Sequence, residues 1–89
     1  MEFEYDAEKS RTNADKHGID FEHAQNLWQD AGLLTLPARS ESEARFLAVG
    51  KIMDRYYTAV FTERSARVRL ISVRRSRAEE KDLYERNQQ

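Results

Sequence analysis

The chain has 89 residues, of which 39% are hydrophobic and 35% are charged, and it contains no cysteine. The length indicates a single domain over 1–89, and the lack of cysteine excludes a disulfide framework, a thiolate zinc site and a cysteine nucleophile. No apolar run approaches the roughly 20 residues of a membrane helix, and the acidic first residues lack the apolar segment of a signal peptide. We therefore expect a cytoplasmic protein that does not enter a membrane.

The charge is distributed unevenly, although the formal net charge is only −1. Residues 1–44 hold ten acidic and four basic side chains, whereas residues 45–77 hold nine basic and two acidic ones. Eight of those nine are arginines, and arginine binds phosphate bidentately and stacks on bases. The basic block therefore indicates either a phosphate-rich partner or ion pairing with the acidic half of the same chain.

The first elements are a strand and a polar helix. The segment FEYD predicts a strand with Phe3 and Tyr5 on one face. Asp6 is a suitable N-cap and Gly18 a suitable C-terminal residue for the helix AEKSRTNADKH between them. Because this helix is polar almost all round, we expect it to be weakly anchored or to face a partner on several sides.

A second helix and a strand follow. Asp20 is its predicted N-cap. Phe21, Ala24 and Trp28 recur at helical spacing, and Leu27 widens this stripe, which predicts a core face. Trp28 is therefore interpreted as a core residue; an exposed Trp28 would instead indicate base stacking. LLTLP then predicts a strand that is closed by Pro37.

The C-terminal half is rich in alternating β-branched and aromatic residues. It predicts two antiparallel hairpins built from the runs RFLAVGKI (45–52), RYYTAVFTE (55–63) and RVRLISVRR (67–75). Strict alternation along the last run places Arg69 on the face of Arg75 and opposite Arg74. SRAE (76–79) has the spacing of a capping box that begins at Ser76 and opens a last helix. The predicted order β-α-α-β-β-β-β-α describes an α+β domain with an antiparallel sheet.

Three stretches, taken together, resemble the BrnT family, the toxin half of bacterial type II toxin–antitoxin pairs. They are FEYDAEKSRTNADKHGIDFEHA (3–24), RFLAVGKIMDRYYTAVFTER (45–64) and VRLISVRRSRAEEKDLYE (68–85). The most specific parts are VFTER, RLISVRR and the spacing Asp6–Lys9–Asn13–Lys16–His17–Gly18. Tyr5 stands where the family often has Trp, and Ser76–Arg77 replaces a smaller pair.

The resemblance implies a compact RelE-like fold and a ribonuclease that arrests translation without a cofactor. It also implies neutralisation by a BrnA-like antitoxin, a ribbon-helix-helix protein that binds DNA and represses the operon of the pair. A homodimer and a heterotetramer with the antitoxin are both compatible with the resemblance, and the sequence leaves the stoichiometry open.

Metal-free RNA cleavage needs a base for the ribose 2′-OH, an acid for the leaving 5′-oxygen and cations for the phosphorane. The sequence has no clustered Asp/Glu set suited to two divalent ions, so no metal ligands are predicted. With the resemblance, the candidate catalytic residues are Arg64, Arg74, His17, Glu63 and Tyr84. The candidate RNA-binding residues are Arg69, Arg75, Lys9, Lys16 and Lys51.

Other interpretations of these residues stay open. His17 also fits the last turn of a helix, where the dipole favours cations, and Tyr84 also fits helix packing. Glu63 points away from Arg64 on a strand and could balance Arg67 across the hairpin. His23 is interpreted as a surface residue. A non-catalytic nucleic-acid-binding module and a protein-interaction module are the alternative functions.

Overall fold

A computed structural model of the protein describes residues 1–88. Its elements are β1 (Glu2–Glu4), α1 (Ala7–His17), α2 (Phe21–Ala24) continued by a 3-10 helix (Gln25–Gln29), β2 (Leu34–Ala38), β3 (Arg45–Ile52), β4 (Arg55–Arg64), β5 (Arg67–Arg75) and α3 (Ala78–Asn87). The α+β class and the predicted element order are confirmed. The second helix is shorter than predicted, because its last turns tighten into the 3-10 form. No helix within residues 1–88 is long and apolar enough to cross a membrane.

The five strands form one open sheet in the order β1-β5-β4-β3-β2. Strands β2 to β5 form an antiparallel meander, as predicted, but β1 pairs with β5 in parallel, with Glu2 opposite Arg67. The prediction of a wholly antiparallel sheet was wrong in this one pairing. The two N-terminal helices connect β1, at one edge of the sheet, to β2 at the opposite edge. From β2 the meander crosses the sheet back towards β1, and its last strand, β5, lies beside β1 and runs in the same direction.

A β-bulge at Ile71 changes which side chains share a face. Val60 lies opposite Ser72, yet the next residue of β4, Phe61, lies opposite Leu70. Ile71 is therefore an extra residue in β5, and it interrupts the regular alternation of side chains between the two faces of the sheet. Consequently Arg69 and Arg74 lie on the same face of the sheet, and the prediction that they lie on opposite faces was wrong because it assumed unbroken alternation.

One face of the sheet packs on α1, α2 and the 3-10 helix; we call it the core face. Phe21 and Leu27 fill its centre and are essentially without exposed surface. Trp28 packs edge-on between Phe3 and Phe61, with ring centroids 5.2 and 5.3 Å away, so its assignment to the core is confirmed. The other face, which we call the open face, is covered by α3 over only part of its length.

Helix α1 is anchored by polar groups instead of an apolar stripe. Asn13 is buried, and its Nδ2 donates to the carbonyl oxygens of Ile19 and Val73, each at 2.8 Å. Its Oδ1 accepts from the N–H of Val73 at 3.1 Å, and the Ser10 hydroxyl accepts from the N–H of Phe21 at 2.9 Å. Since β1 pairs with β5 only as far as Arg69, the Asn13 amide replaces a neighbouring strand at Val73 and satisfies its backbone groups.

The predicted caps of α1 are confirmed. The Asp6 carboxylate accepts from the N–H of Glu8 at 2.8 Å, and Gly18 has a left-handed φ of 74°. The capping box of α3 begins one residue later than predicted, at Arg77, whose N–H donates to the Glu80 carboxylate at 2.8 Å. Ser76 cannot act as the cap because its N–H continues the sheet by donating to the Tyr56 carbonyl.

Candidate functional site

The predicted site residues lie at two ends of the sheet. The turn end contains the β3–β4 turn and the last residues of β5; the hairpin end contains the β4–β5 turn. Helix α1 runs along β5, and the residue after it, Gly18, lines the same cavity as Tyr57 near the start of β4. The turn end therefore holds the last turn of α1 with Lys16 and His17, together with Arg75 and Lys51.

Three adjoining cavities at the turn end share His23 and form what we call the turn-end groove. Their volumes are about 240, 370 and 580 Å³. Among the lining residues are Gly18, Asp20, His23, Asn26, Asp30, Lys51, Met53, Arg55 and Tyr57. Tyr57 is 8% exposed and lies where two of the cavities meet.

Cations lie beside the groove, and most of them have no carboxylate partner among the described residues 1–88. The Arg75 guanidinium lies 5.6 Å from the centroid of the Tyr57 ring, a cation–π contact. Neither Arg75 nor Arg55 forms an ion pair within residues 1–88, and the same holds for Lys16. Lys51 has only a distant carboxylate, that of Glu85 at 4.0 Å. The charges of these side chains are thus available to an anion.

At the hairpin end, the arginines are paired with the acidic first strand. Arg67 Nε lies 3.2 Å from the Glu2 carboxylate, and Glu4 accepts from Arg69 Nη1 at 2.9 Å and lies 3.9 Å from Arg64. This confirms self-pairing of part of the basic block. Solvent-exposed pairs such as Arg67–Glu2 contribute only about 0–1 kcal/mol, so a stronger anion can replace them. The Arg69–Glu4 pair is partly buried.

Arg74 is bound much more firmly, although it shares the open face with Arg64 and Arg69. Its two terminal nitrogens donate to the two oxygens of Glu80, each at 2.8 Å. Glu80 also accepts from the Thr58 hydroxyl at 2.9 Å, and its side chain is 8% exposed. The Arg74 hydrogen bonds hold the pKa of Glu80 down at about 2. Arg74 therefore fixes α3 to the sheet, and Arg64 lies at the other end, as expected for antiparallel strands.

Tyr84 is 5% exposed and also holds α3 in place. Its hydroxyl donates to the Asp30 carboxylate at 2.8 Å, and Asp30 further accepts from the N–H groups of Gly32 and Lys51, each at 2.8 Å. Burial, and then the hydrogen bond to Asp30, raises the pKa of Tyr84 to about 12. Burial works against ionisation of Asp30, but the hydrogen bonds that it accepts outweigh this and lower its pKa.

We expect Tyr84→Phe to cost about 1 kcal/mol of stability, because one buried hydrogen bond is lost, and to leave RNA cleavage at the wild-type rate. Urea denaturation and an RNA cleavage assay measure the two quantities. Tyr56→Phe, which removes an exposed hydrogen bond to Glu85, is the matched control. A loss of cleavage by a stable Tyr84→Phe protein would show that this hydroxyl takes part in the chemistry.

The remaining predicted residues lie apart from the groove. Glu63 is on the core face at the hairpin end, opposite Val68. Arg67, the partner that one interpretation gave it, pairs with Glu2 instead. Lys9 is exposed on α1.

Sequence reasoning missed Arg55 and Tyr57 and assigned His23 only to the surface. His23 is exposed, but it also lines all three cavities. No local motif marks these three residues, because the groove forms only when the 3-10 helix meets the β3–β4 turn. Within residues 1–88, no three His, Asp or Glu side chains group as metal ligands.

A family model described as ribonuclease toxin, BrnT, of type II toxin–antitoxin system matches residues 5–80. No curated protein shows significant similarity to the chain. The matched segment extends from before α1 into the first turn of α3, so it contains the turn-end groove and the Arg74–Glu80 pair. The chain therefore belongs to the BrnT family, the ribonuclease toxins of type II toxin–antitoxin systems.

Proposed function

We propose that the protein cleaves RNA in the turn-end groove and does so without a metal ion. The observation that carries this proposal is two guanidinium groups that form no ion pair within residues 1–88. Arg55 lines a cavity together with His23 and the buried Tyr57, and Arg75 lies over the Tyr57 ring. Cations that lie where negative charge develops stabilise the phosphorane transition state, and they do so most strongly when they are not already paired with another anion. The groove supplies this charge from its own side chains.

Each functional step can be assigned to a group at the turn end. Arg75 and Arg55 bind the scissile phosphate, while Lys16 and Lys51 bind neighbouring phosphates of the strand. An imidazole can accept or donate a proton near neutral pH, so His23 and His17 are the proposed acid and base. The 2′-OH as the nucleophile restricts the reaction to RNA.

The double variant Arg55→Ala/Arg75→Ala tests the groove. We expect cleavage of a defined mRNA to slow by at least about 100-fold, the magnitude typical of lost transition-state charge stabilisation. Circular dichroism should show an intact fold, since both side chains are exposed. Arg39→Ala, at an exposed arginine in the loop after β2, removes one arginine charge far from the groove and should have no effect.

Two results would contradict the proposal. Cleavage at the wild-type rate by the double variant would exclude the groove, and cleavage that stops in EDTA would exclude metal independence. The same cleavage assay on a second double variant, Arg64→Ala/Arg69→Ala, tests the predicted phosphate contacts of Arg64 and Arg69. If only that variant loses activity, the reaction belongs to the hairpin end.

Family membership implies an antitoxin partner. We propose that it is BrnA-like, a ribbon-helix-helix protein, that the pair assembles as a heterotetramer in the cytoplasm, and that the free toxin inhibits translation. Co-purification with the product of the adjoining reading frame, followed by mass measurement of the complex, checks the partner and the stoichiometry. A neighbour of another fold would contradict the BrnA-like assignment.

A further inference from the structure

The open face carries apolar side chains that α3 leaves uncovered. Leu36, Leu47 and Val60 lie side by side on three neighbouring strands, in the register Leu36–Leu47 and Leu47–Val60, and each is only partly buried. We call these three residues the apolar strip. At its β2 end, Leu36 and the 39% exposed Leu83 of α3 line a cavity of about 280 Å³. An apolar groove thus extends from α3 across the sheet.

Arginines flank the apolar strip on both sides. Towards the hairpin end, Arg45 and Arg69 lie on the adjacent cross-strand row, with Arg64 beyond them. On the other side, Arg86 of α3 lines the same cavity as Leu36. The floor of the groove is apolar. On its flanks Arg69 pairs with Glu4 at 2.9 Å and Arg86 pairs with Asp82 at 2.8 Å, so an incoming carboxylate would share these guanidinium groups with, or take them from, the chain's own acidic side chains.

Arg45 lacks an internal partner for part of its guanidinium group. Its Nε is buried and has no hydrogen-bond acceptor within residues 1–88, and the Glu43 carboxylate lies 3.8 Å from another of its nitrogens. A buried donor without an acceptor is costly. The Arg45 side chain as a whole is 38% exposed, so an incoming carboxylate beside Leu47 can reach its terminal nitrogens.

We propose that the open face is the docking surface of a protein partner, which lays an acidic amphipathic segment along the apolar strip. The partner's apolar side chains would cover Leu36, Leu47 and Val60, and its carboxylates would meet Arg45, Arg69 and Arg86. An RNA strand fits less well, because its phosphates would lie over an apolar floor and leave it uncovered. Arginine is enriched in protein interfaces, and their fully buried centre is more apolar than the rest of the surface.

Amide chemical shifts of the labelled full-length protein test the proposal. The probe is a synthetic helical peptide with Leu at every third or fourth position and Glu on both flanks. We expect shifts at Leu47 and Val60 but none around Tyr57. The same peptide with Lys in place of Glu should not bind.

Arg45→Glu is expected to weaken binding of the Glu peptide by at least about tenfold, as for a central interface arginine, and to leave RNA cleavage unchanged. Arg55→Glu is the matched charge reversal at the turn end. It should slow RNA cleavage and leave binding of the Glu peptide unchanged, because Arg55 lies only in the proposed cleavage groove. Because the two readouts separate, failure of one proposal does not affect the other. Equal binding of the Lys peptide, no shifts with the Glu peptide, or binding of an RNA oligonucleotide that depends on Arg45 would overturn the docking surface.

Discussion

Asn13→Ala is expected to destabilise the protein by about 4 kcal/mol, because it removes three buried hydrogen bonds and leaves backbone groups without partners. The groups left behind are the N–H and C=O of Val73 and the C=O of Ile19. They lie where α1 replaces a strand at the edge of β5, and α1 has no apolar stripe to hold it there. Without Asn13, the last turn of α1 with Lys16 and His17 should separate from the sheet.

Urea denaturation measures this loss, and Thr12→Ala is the matched control at the neighbouring exposed position of the same helix. A change of about 4 kcal/mol is a large part of the total stability of a small domain, so the variant should be partly unfolded at 37 °C. A cost below about 1 kcal/mol would mean that water replaces the amide at Val73.

Glu80→Ala is expected to cost about 3 kcal/mol, since it leaves the largely buried Arg74 guanidinium without its carboxylate. Thr58 and the N–H of Arg77 lose an acceptor in the same step. Glu79→Ala, one position earlier on the exposed side of α3, is the control and should change the free energy of unfolding far less.

The pH dependence of this interaction has a definite direction. The pKa of Glu80 is held at about 2 in the folded protein, against an ordinary value of 4.5. A carboxyl whose pKa is depressed on folding contributes stability above its unfolded pKa and loses it as the group becomes protonated. The wild type should therefore lose this contribution between pH 4.5 and 2, and Glu80→Ala should show a flatter profile there. Identical profiles for both proteins would contradict the assignment.

The amino-acid sequence determined those features that depend on neighbouring residues. Asp6 and Gly18 cap α1 because capping involves backbone groups only a few positions away. The strands of the meander followed from alternation, and the family from three ordered stretches of the chain. The uneven charge left two interpretations open, a phosphate-rich partner or pairing within the chain, and the pairs of Arg67 with Glu2 and of Arg69 with Glu4 confirm the second for part of the basic block.

Only the tertiary structure decided the geometry of the site. The bulge at Ile71 reversed the expected faces of β5, and no local signal marks it, because the register is fixed by pairing with β4. Asn13 appeared as part of a polar surface until its contact with Val73, sixty residues away, placed it in the interior. The turn-end groove joins residues from five separate elements, namely α1, α2, the 3-10 helix, β3 and β4. Its shape therefore depends on packing between distant parts of the chain, which a pattern of neighbouring residues does not contain.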